Sequence, residues 1–303
     1  MRIDLQIGGY AIRMDEPEGH ACLNWPFGAF EPFVTAAGHV PDIAVTVRVV
    51  ERLPDLPRGP LLYDACHGLW KWYRTDSGYL LDSPNRSTRE PETVALVSED
   101  ITTVAVWVLG QHREGTPRMG WQPLHIVNPI VEVCLLTRLA REGGLLLHAA
   151  GLLTAHGGLA FTGASGTGKS TIADFYAARG ARVLSDERVI LRTIESTIQV
   201  FGSPWPGTGR HARNQHAPLR GLFCIRHGKD DHRMRRMPAG TGASFILQQC
   251  FLPHWDRTAM DRTLRFLNEL IERIDCVDLA FLKNPDIVDC LEASVVGRPT
   301  VAS

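Results

Sequence analysis

The sequence GASGTGKS at residues 163–170 constrains the fold more than any other feature of this chain. It has the pattern GxxxxGK[ST], in which glycines let the backbone bend until successive N–H groups point at one anion. An apolar stretch, GLAFT, precedes it, and an amphipathic stretch, KSTIADFYAARG, follows it. Strand, loop and helix in this order are typical of phosphate-binding α/β proteins. We therefore predict an α/β fold in which residues 163–170, here called the glycine loop, bind a nucleotide.

The polar residues of the glycine loop have separate predicted roles. Lys169 is expected to reach the β- and γ-phosphates, and the Ser170 hydroxyl is expected to bind Mg²⁺. The start of the following helix adds its positive end to the anion site. Because such a loop contacts only phosphates, the motif leaves the base open, although ATP with Mg²⁺ is the expected pair. The predicted nucleotide-binding residues are Gly163, Ala164, Ser165, Gly166, Thr167, Gly168, Lys169, Ser170 and Thr171.

Two adjacent acidic residues, Asp186 and Glu187, follow the next apolar stretch, ARVLS. The segment ARVLSDERVIL is predicted to be a strand of the same βαβ unit, and the strands of one parallel sheet end at the same edge. We therefore expect the acidic pair to face the glycine loop. One carboxylate would bind the metal, and the other would accept a hydroxyl proton. The alternative is a surface turn after a strand.

Three further residues are candidates for the site. His148 ends the apolar run LLLH before the glycine loop, where a packed histidine is the alternative to a catalytic one. Arg213 and Arg220 lie in the basic segment 210–236, and Gly- and Pro-rich stretches around them would let them approach the site. They would stabilise charge on the γ-phosphate or bind an anionic acceptor. For residues 226–236, a solvated hairpin is the expectation.

The distribution of residue types predicts two domains. Residues 1–125 hold β-branched runs, such as those at 42–50 and 93–109, between Pro- and Gly-rich stretches, which predicts a β-rich N-terminal domain. Residues 126–303 are assigned to a nucleotide-binding domain, with strands at GLFCIR and CVDLAFL and a long helix at 256–274. A helix is expected at the join, from Asn128-Pro129 to Gly143-Gly144, because these residues suit helix starts and ends.

Composition argues against several functional classes. The net charge of −1 gives no bulk basic field for nucleic acid, and the basic segment lacks interleaved aromatic residues. No apolar run of about eighteen residues predicts a membrane span, and the first residues lack the apolar core of a signal peptide. The 7 cysteines form no CxxC pair, which is typical of reduced thiols in a cytoplasmic protein. The histidine spacings fit no zinc pattern.

Together, the segments LLHAAGL, GLAFTGASGTGKST and ARGARVLSDERVIL resemble the catalytic core of the HPr kinase/phosphorylase-related family. The resemblance covers roughly residues 145–192 and implies a P-loop-containing core of the HPr-kinase and phosphoenolpyruvate-carboxykinase type. It also implies ATP-dependent phosphorylation of a serine hydroxyl. By this resemblance Lys169 and Ser170 bind phosphate and Mg²⁺, Asp186 is the proton acceptor, Glu187 is a metal ligand, and His148 lies near the transferred phosphate.

Departures from the family pattern narrow the expected function. The segment FGSPWPGTGRHARNQHAPLRG does not match the family's stretch linked to phosphorolysis, so the reverse reaction is not expected. The N-terminal half also differs, so the expected acceptor is a serine of a peptide or protein, or a small molecule, rather than HPr. The alternatives are a nucleotide-dependent regulator that modifies nothing and, ranked lower, a carboxykinase-type lyase. The resembled kinases are often hexamers, which leaves a homo-oligomer open.

Overall fold

The computed structural model describes residues 1–25, 28–36, 38, 40–65, 68–85, 87–111, 119–228 and 231–296. Two compact units divide the chain: Met1–Arg138 with Pro253–Arg257, called unit 1, and Leu139–Leu252 with Thr258–Ser303, called unit 2. The division falls within the helix expected at the join rather than before it. The fold is of the mixed α/β class with several sheets, and the functions predicted for the two domains stay predictions.

Unit 1 is built on an eight-stranded sheet and a separate two-stranded pair. Its strands are β1 (Arg2–Ile7), β2 (Tyr10–Asp15), β3 (Ala21–Cys22), β4 (Ile43–Val50), β5 (Leu61–Ala65), β6 (Trp70–Thr75), β7 (Gly78–Pro84), β8 (Pro91–Ser98), β9 (Thr103–Leu109) and β10 (Gly120–Trp121). β3 pairs with β10, and the other eight lie in the order β1-β2-β4-β9-β8-β7-β6-β5. A 3-10 helix spans Gly28–Phe33.

Alternating burial explains why the β-branched runs of unit 1 become strands. In β4, Ile43, Val45, Val47 and Val49 are buried, and the residues between them are more exposed. Side chains of successive strand residues point to opposite faces, so one face of the sheet joins the core. The strands predicted at 42–50 and within 93–109 are confirmed as β4, β8 and β9.

The helix expected from Asn128 begins later than predicted. A short helix, α1 (Leu124–Ile126), leads into a π-helical turn at Val127–Val131, and the regular helix α2 spans Glu132–Arg141. Asn128 has φ −127° and ψ 109°, which is extended backbone, so the regular helix begins only after it. Gly143 has φ +78°, a conformation that glycine adopts without strain, and the helix stops there as predicted.

Unit 2 holds a nine-stranded sheet. Its strands are β11 (Gly144–Thr154), β12 (Gly157–Thr162), β13 (Arg182–Ser185), β14 (Arg188–Ile194), β15 (Thr197–Phe201), β16 (His216–His227), β17 (Arg233–Arg236), β18 (Cys250–Phe251) and β19 (Cys276–Phe281). They follow the order β12-β11-β14-β15-β16-β19-β17, β13 and β18 pair with β11, and β12 also pairs with β16. The helices are α3 (Lys169–Ala178), α4 (Ala239–Leu247), α5 (Arg257–Arg273) and α6 (Ile287–Val296).

The segment ARVLSDERVIL forms two strands and not the single strand that was predicted. β13 pairs with Gly151 to Leu153 of β11, and β14 pairs with Gly144 to His148 of the same strand. The break falls at the two acidic residues between them. The sheet is mixed rather than parallel, because β11 is antiparallel to both β12 and β13. β12 and β13 therefore still run in the same direction, and their carboxyl ends lie at the same edge.

Two apolar clusters hold unit 2 together. One includes Leu147, Val189, Leu222 and Phe266, and the other includes Phe161, Ile172 and Tyr176. The predicted helices at the glycine loop and at 256–274 are confirmed as α3 and α5, whereas α4 and α6 were not predicted. In the described ranges, no helix combines the length and apolar character that a membrane crossing requires.

Candidate functional site

The glycine loop joins β12 to α3, and its glycines are required by space as well as by backbone angles. A Cβ on Gly163 would lie 2.8 Å from the carbonyl oxygen of Ile225, and one on Gly168 would lie 2.7 Å from Cζ of Phe281. Gly166 and Gly168 have φ +81° and +103°, which side chains with a Cβ rarely adopt. The loop can therefore close against the ends of β16 and β19 only with glycine at these positions.

Lys169 is the first residue of α3, and it is only 5% exposed. Its Nζ donates to the carbonyl oxygens of Gly163 at 2.8 Å and Ala164 at 3.2 Å. Burial lowers the pKa of Lys169, and the carboxylate of Glu187 opposes this shift. The ammonium therefore lies across the glycine loop and within electrostatic reach of Glu187.

Asp186 lies between β13 and β14 and is 1% exposed. Its Oδ1 accepts hydrogen bonds from the backbone N–H groups of Gly207 at 3.0 Å and His211 at 3.3 Å, and its Oδ2 accepts one from Gly209 at 2.7 Å. Amides of one segment, residues 207–211, called the 207–211 loop, therefore occupy both oxygens. A proton acceptor must be within hydrogen-bond reach of the hydroxyl, and this carboxylate is 1% exposed with three amides already bonded to it. This geometry does not support the proton-accepting role predicted for Asp186.

Glu187 is more open, with a side chain that is 35% exposed, and it contacts His148 on β11. Nδ1 of His148 donates to the carbonyl oxygen of Glu187 at 3.1 Å and lies 3.3 Å from its Oε1. These two acceptors favour the tautomer with the proton on Nδ1, which leaves a lone pair on Nε2. Burial and then the Lys169 ammonium lower the pKa of His148, and Glu187 opposes the shift. The imidazole is therefore neutral near pH 7.

The register of the sheet explains how these residues meet. Ala149 on β11 pairs with Thr162 at the end of β12, and the Thr162 hydroxyl donates to the His148 carbonyl oxygen at 2.9 Å. His148 therefore lies beside the strand end from which the glycine loop starts. The structure thus brings His148 into contact with Glu187, and Lys169 lies within electrostatic range of both.

Two histidines near the glycine loop were not predicted as site residues. His227 ends β16, and its Nε2 lies 3.0 Å from the carbonyl oxygen of Gly166. His211 in the 207–211 loop has its Nε2 3.6 Å from Oδ1 of Asp174 on α3. β16 is parallel to β12, so the end of GLFCIRH should meet the glycine loop by the same edge argument that placed the acidic pair. His227 was therefore predictable, whereas His211 carries no comparable signal.

The two candidate arginines lie in different places. The backbone N–H of Arg213 donates to the carbonyl oxygen of Leu184 at 2.9 Å, so its segment runs beside the end of β13. Arg220 lies at the wrong end of the sheet, because a Cβ on Gly157 would be 2.7 Å from its Cγ. Gly157 begins β12, and the glycine loop follows its end, about 17 Å away along the strand. Arg220 is therefore not part of the site, contrary to the prediction.

Ser170 and Glu187 are the predicted Mg²⁺ ligands. Both carry oxygen donors, which Mg²⁺ prefers, and neither side chain is buried. The donor chemistry of these two residues fits a hard divalent cation.

A second acidic cluster lies in unit 1. Glu16, Glu18 and His20 are, within the ranges described above, the one group of three acidic, His or Cys residues with ligand atoms within 4.8 Å of one another. The Glu16 carboxylate accepts bonds from the backbone N–H groups of Glu18, Gly19 and His20 and from the His20 ring. Its oxygens are already bonded, so this cluster is a closed turn rather than an open metal site.

Comparison of the chain with protein-family models and with curated proteins gives no match. Among solved structures, the chain is similar to the Hpr(Ser) kinase/phosphatase from Coxiella burnetii, with a TM-score of 0.30 and 12% sequence identity. The match covers 49% of this chain and 94% of that chain. A likeness this weak carries no functional argument. Membership of the HPr kinase-related family therefore stays a prediction, and any function must be argued from the site.

Proposed function

We propose that unit 2 binds ATP at the glycine loop and transfers the γ-phosphoryl group to a hydroxyl. The observation that carries the proposal is the position of Lys169, whose ammonium lies across the loop and within electrostatic range of the His148–Glu187 pair. Phosphoryl transfer depends mainly on positioning and on stabilising charge, and a cation beside an acid–base pair supports both. The proposed core is thus P-loop-containing and of the HPr-kinase type.

The phosphates would be held by the loop backbone and by Lys169. Ala164, Ser165 and Gly166 are exposed, so their backbone is open to a ligand. The first N–H groups of α3 have no partner within the helix and favour an anion. A phosphate would replace the carbonyl oxygens of Gly163 and Ala164 as acceptors for Lys169. Ser170 and Glu187 would hold Mg²⁺, which neutralises charge on the phosphates when bound.

The acceptor hydroxyl would lose its proton to His148. The bond between the γ-phosphorus and the β,γ-bridging oxygen breaks, the acceptor oxygen bonds to phosphorus, and the proton moves to Nε2. Glu187 holds the opposite ring nitrogen and stabilises the imidazolium that forms, as a carboxylate does for other catalytic histidines. We propose a serine of a peptide or protein, or a small molecule, as the acceptor, and the cytoplasm as the setting.

One observation favours a second candidate function, a regulator that binds nucleotide and modifies nothing. Asp186, the residue expected to accept the proton, has both carboxylate oxygens bonded to the 207–211 loop. A chain that had lost transfer while keeping nucleotide binding would retain the glycine loop and Lys169 in this form.

Nucleotide binding and label transfer separate the two functions. The protein is incubated with ATP labelled at the γ-phosphate and Mg²⁺, with water and a panel of serine peptides as acceptors. Transfer that is lost in both Lys169→Ala and His148→Gln would support the kinase. Binding of a non-hydrolysable ATP analogue without transfer to any acceptor would support the regulator, and no binding would exclude both.

Lys71→Ala is the matched control. Lys71 is an exposed lysine of unit 1 whose Nζ lies 3.8 Å from Asp64, and an ion pair of this kind contributes little to stability. Nucleotide binding should be unchanged in this variant. A loss equal to that of Lys169→Ala would show that the assay reports overall charge and not the glycine loop.

A further inference from the structure

The 207–211 loop is folded around a single carboxylate. The three amides that donate to Asp186 belong to alternate residues, Gly207, Gly209 and His211. The partners are separated by 21 to 25 residues in sequence, so the bonds join two segments that have no local reason to meet. Because the acceptor is a carboxylate, these bonds are strong compared with bonds to neutral groups.

This loop also packs against the residue beside Asp186. A Cβ on Gly207 would lie 3.1 Å from Oε2 of Glu187 and 3.0 Å from Oδ2 of Asp186. The opposite oxygen of Glu187, Oε1, lies 3.3 Å from His148. The Glu187 carboxylate is therefore held between the loop backbone and the imidazole, and glycine at 207 leaves just enough room for this.

A second contact ties the same loop to the helix that follows the glycine loop. His211 and Asp174 on α3 face each other with Nε2 and Oδ1 3.6 Å apart. Residues 208–210, between the two fixed ends, are exposed. The loop thus connects the acidic residues after β13 with α3.

We propose that Asp186 is a positioning residue, which fastens the 207–211 loop so that the loop holds the Glu187 carboxylate against His148. Asp186 takes no proton from the acceptor, and its charge acts through three amides and one neighbouring side chain. The inference deepens the proposed kinase function and rests on it for the role of the His148–Glu187 pair. The fastening itself is a property of the protein without nucleotide, and it can be tested separately.

The fastening is tested by hydrogen–deuterium exchange on the full chain without nucleotide. In Asp186→Asn the amides of Gly207 and Gly209 should exchange at least about tenfold faster than in the unaltered protein, because one acceptor oxygen is replaced by a donor and the other loses its charge. Gly209→Ala should have the same effect, because its Cβ would lie 2.7 Å from Oδ2 of Asp186. If Asp186→Asn does not fold, Gly209→Ala still tests the fastening.

A double-mutant cycle on slow ATP hydrolysis tests the mechanism. Gly209→Ala keeps the Asp186 carboxylate in the protein but places a Cβ 2.7 Å from its Oδ2, which disturbs its bonds to the loop. A positioning role predicts that Asp186→Asn and Gly209→Ala each lower kcat by at least about tenfold, with little change in the KM for ATP. The double variant should then be no slower than the slower of the two single variants. A proton-accepting Asp186 predicts that Asp186→Asn lowers kcat far more than Gly209→Ala does, because only the first removes the carboxylate.

Gly240→Ala is the matched control, because a Cβ there meets nothing within 4 Å, and it should change neither exchange at 207–211 nor kcat. Unchanged exchange in both test variants would overturn the fastening. Faster exchange with normal hydrolysis in Gly209→Ala would overturn the positioning role. If the protein neither binds nor hydrolyses ATP, the proposed function fails, whereas the exchange result still decides the fastening on its own.

Discussion

Glu16 in unit 1 and Asp186 in unit 2 are two buried carboxylates that each bind three backbone amides of one loop. Glu16 is 0% exposed and accepts from Glu18, Gly19 and His20, with a further bond from the His20 ring. Asp186 accepts from Gly207, Gly209 and His211. Both carboxylates replace water by N–H groups, which is what a buried anion requires.

The difference between the two lies in the distance along the chain that each carboxylate bridges. The amides at Glu16 come from residues two to four positions later, so this carboxylate closes its own turn. Asp186 bridges at least 21 residues and precedes Glu187, which contacts His148. The same bonding pattern therefore makes a local turn in unit 1 and a long-range connection at the candidate site in unit 2.

The largest expected difference between the two carboxylates is in the phosphoryl-transfer activity that remains when each is removed. Asp186→Ala should lower phosphoryl transfer by about a hundredfold, because displacing a catalytic pair by about 1 Å costs that much. Glu16→Ala should leave the activity of the folded protein within about twofold, since its partners are the turn itself and the Met1 ammonium, all in unit 1. Initial rates with labelled ATP, corrected for the folded fraction, measure both. Similar losses in the two variants would remove the distinction.

Stability should respond to both substitutions. Glu16→Ala leaves three amides without their buried acceptor, and we expect the free energy of unfolding to fall by about 3 kcal/mol. In Asp186→Ala the free energy of unfolding should fall less, by about 2 kcal/mol, because the exposed residues 208–210 let the 207–211 loop relax into water. Urea unfolding followed by circular dichroism gives both values. A smaller effect at Glu16 than at Asp186 would reverse this order.

The contribution of the ionised Glu16 carboxylate to stability should be visible in the pH dependence of unfolding. Burial opposes ionisation of Glu16, but bonds from His20 and Glu18, the Met1 ammonium and a bond from Gly19 outweigh it and hold the pKa of this carboxyl below its ordinary value. A depressed folded pKa stabilises the fold above the unfolded pKa, and this contribution is lost as pH falls below roughly 4.5. The loss should be absent in Glu16→Gln, which has no charge to titrate. Parallel pH–stability curves for the two proteins would contradict this.

The smallest expected effect is the loss of stability when alanine replaces a glycine of the Glu16 turn, compared with the same change in the 207–211 loop. Gly19 has φ +79° with open space around a Cβ, so Gly19→Ala should cost about 1 kcal/mol from backbone strain alone. Gly209→Ala instead places the Cβ against Asp186, so its effect should appear in transfer activity as well as in melting temperature. Normal activity in Gly19→Ala and reduced activity in Gly209→Ala would confirm that only one loop serves the site.

Local sequence patterns predicted those parts of the candidate site that are formed by residues close together in the sequence. The glycine loop, α3 and the side of the sheet on which Asp186 and Glu187 lie all follow from one strand–loop–helix–strand segment. The partners of Asp186 could not be predicted, because the 207–211 loop has no periodic pattern and meets Asp186 only through tertiary contacts. Arg220 was misplaced for a related reason: closeness to glycines in sequence does not say at which end of a strand a residue lies.

β11 gives the candidate site a gradient of local stability. This strand pairs with β12, β13, β14 and β18, and His148 lies near its middle. Opening β11 would require breaking hydrogen bonds to several neighbours at once, so its amides should open only at free energies near that of global unfolding. The exposed glycine-loop residues belong to no strand and are bonded to side chains, among them those of Lys169 and His227. The loop and Lys169 could therefore rearrange around a ligand many times while the imidazole keeps its place.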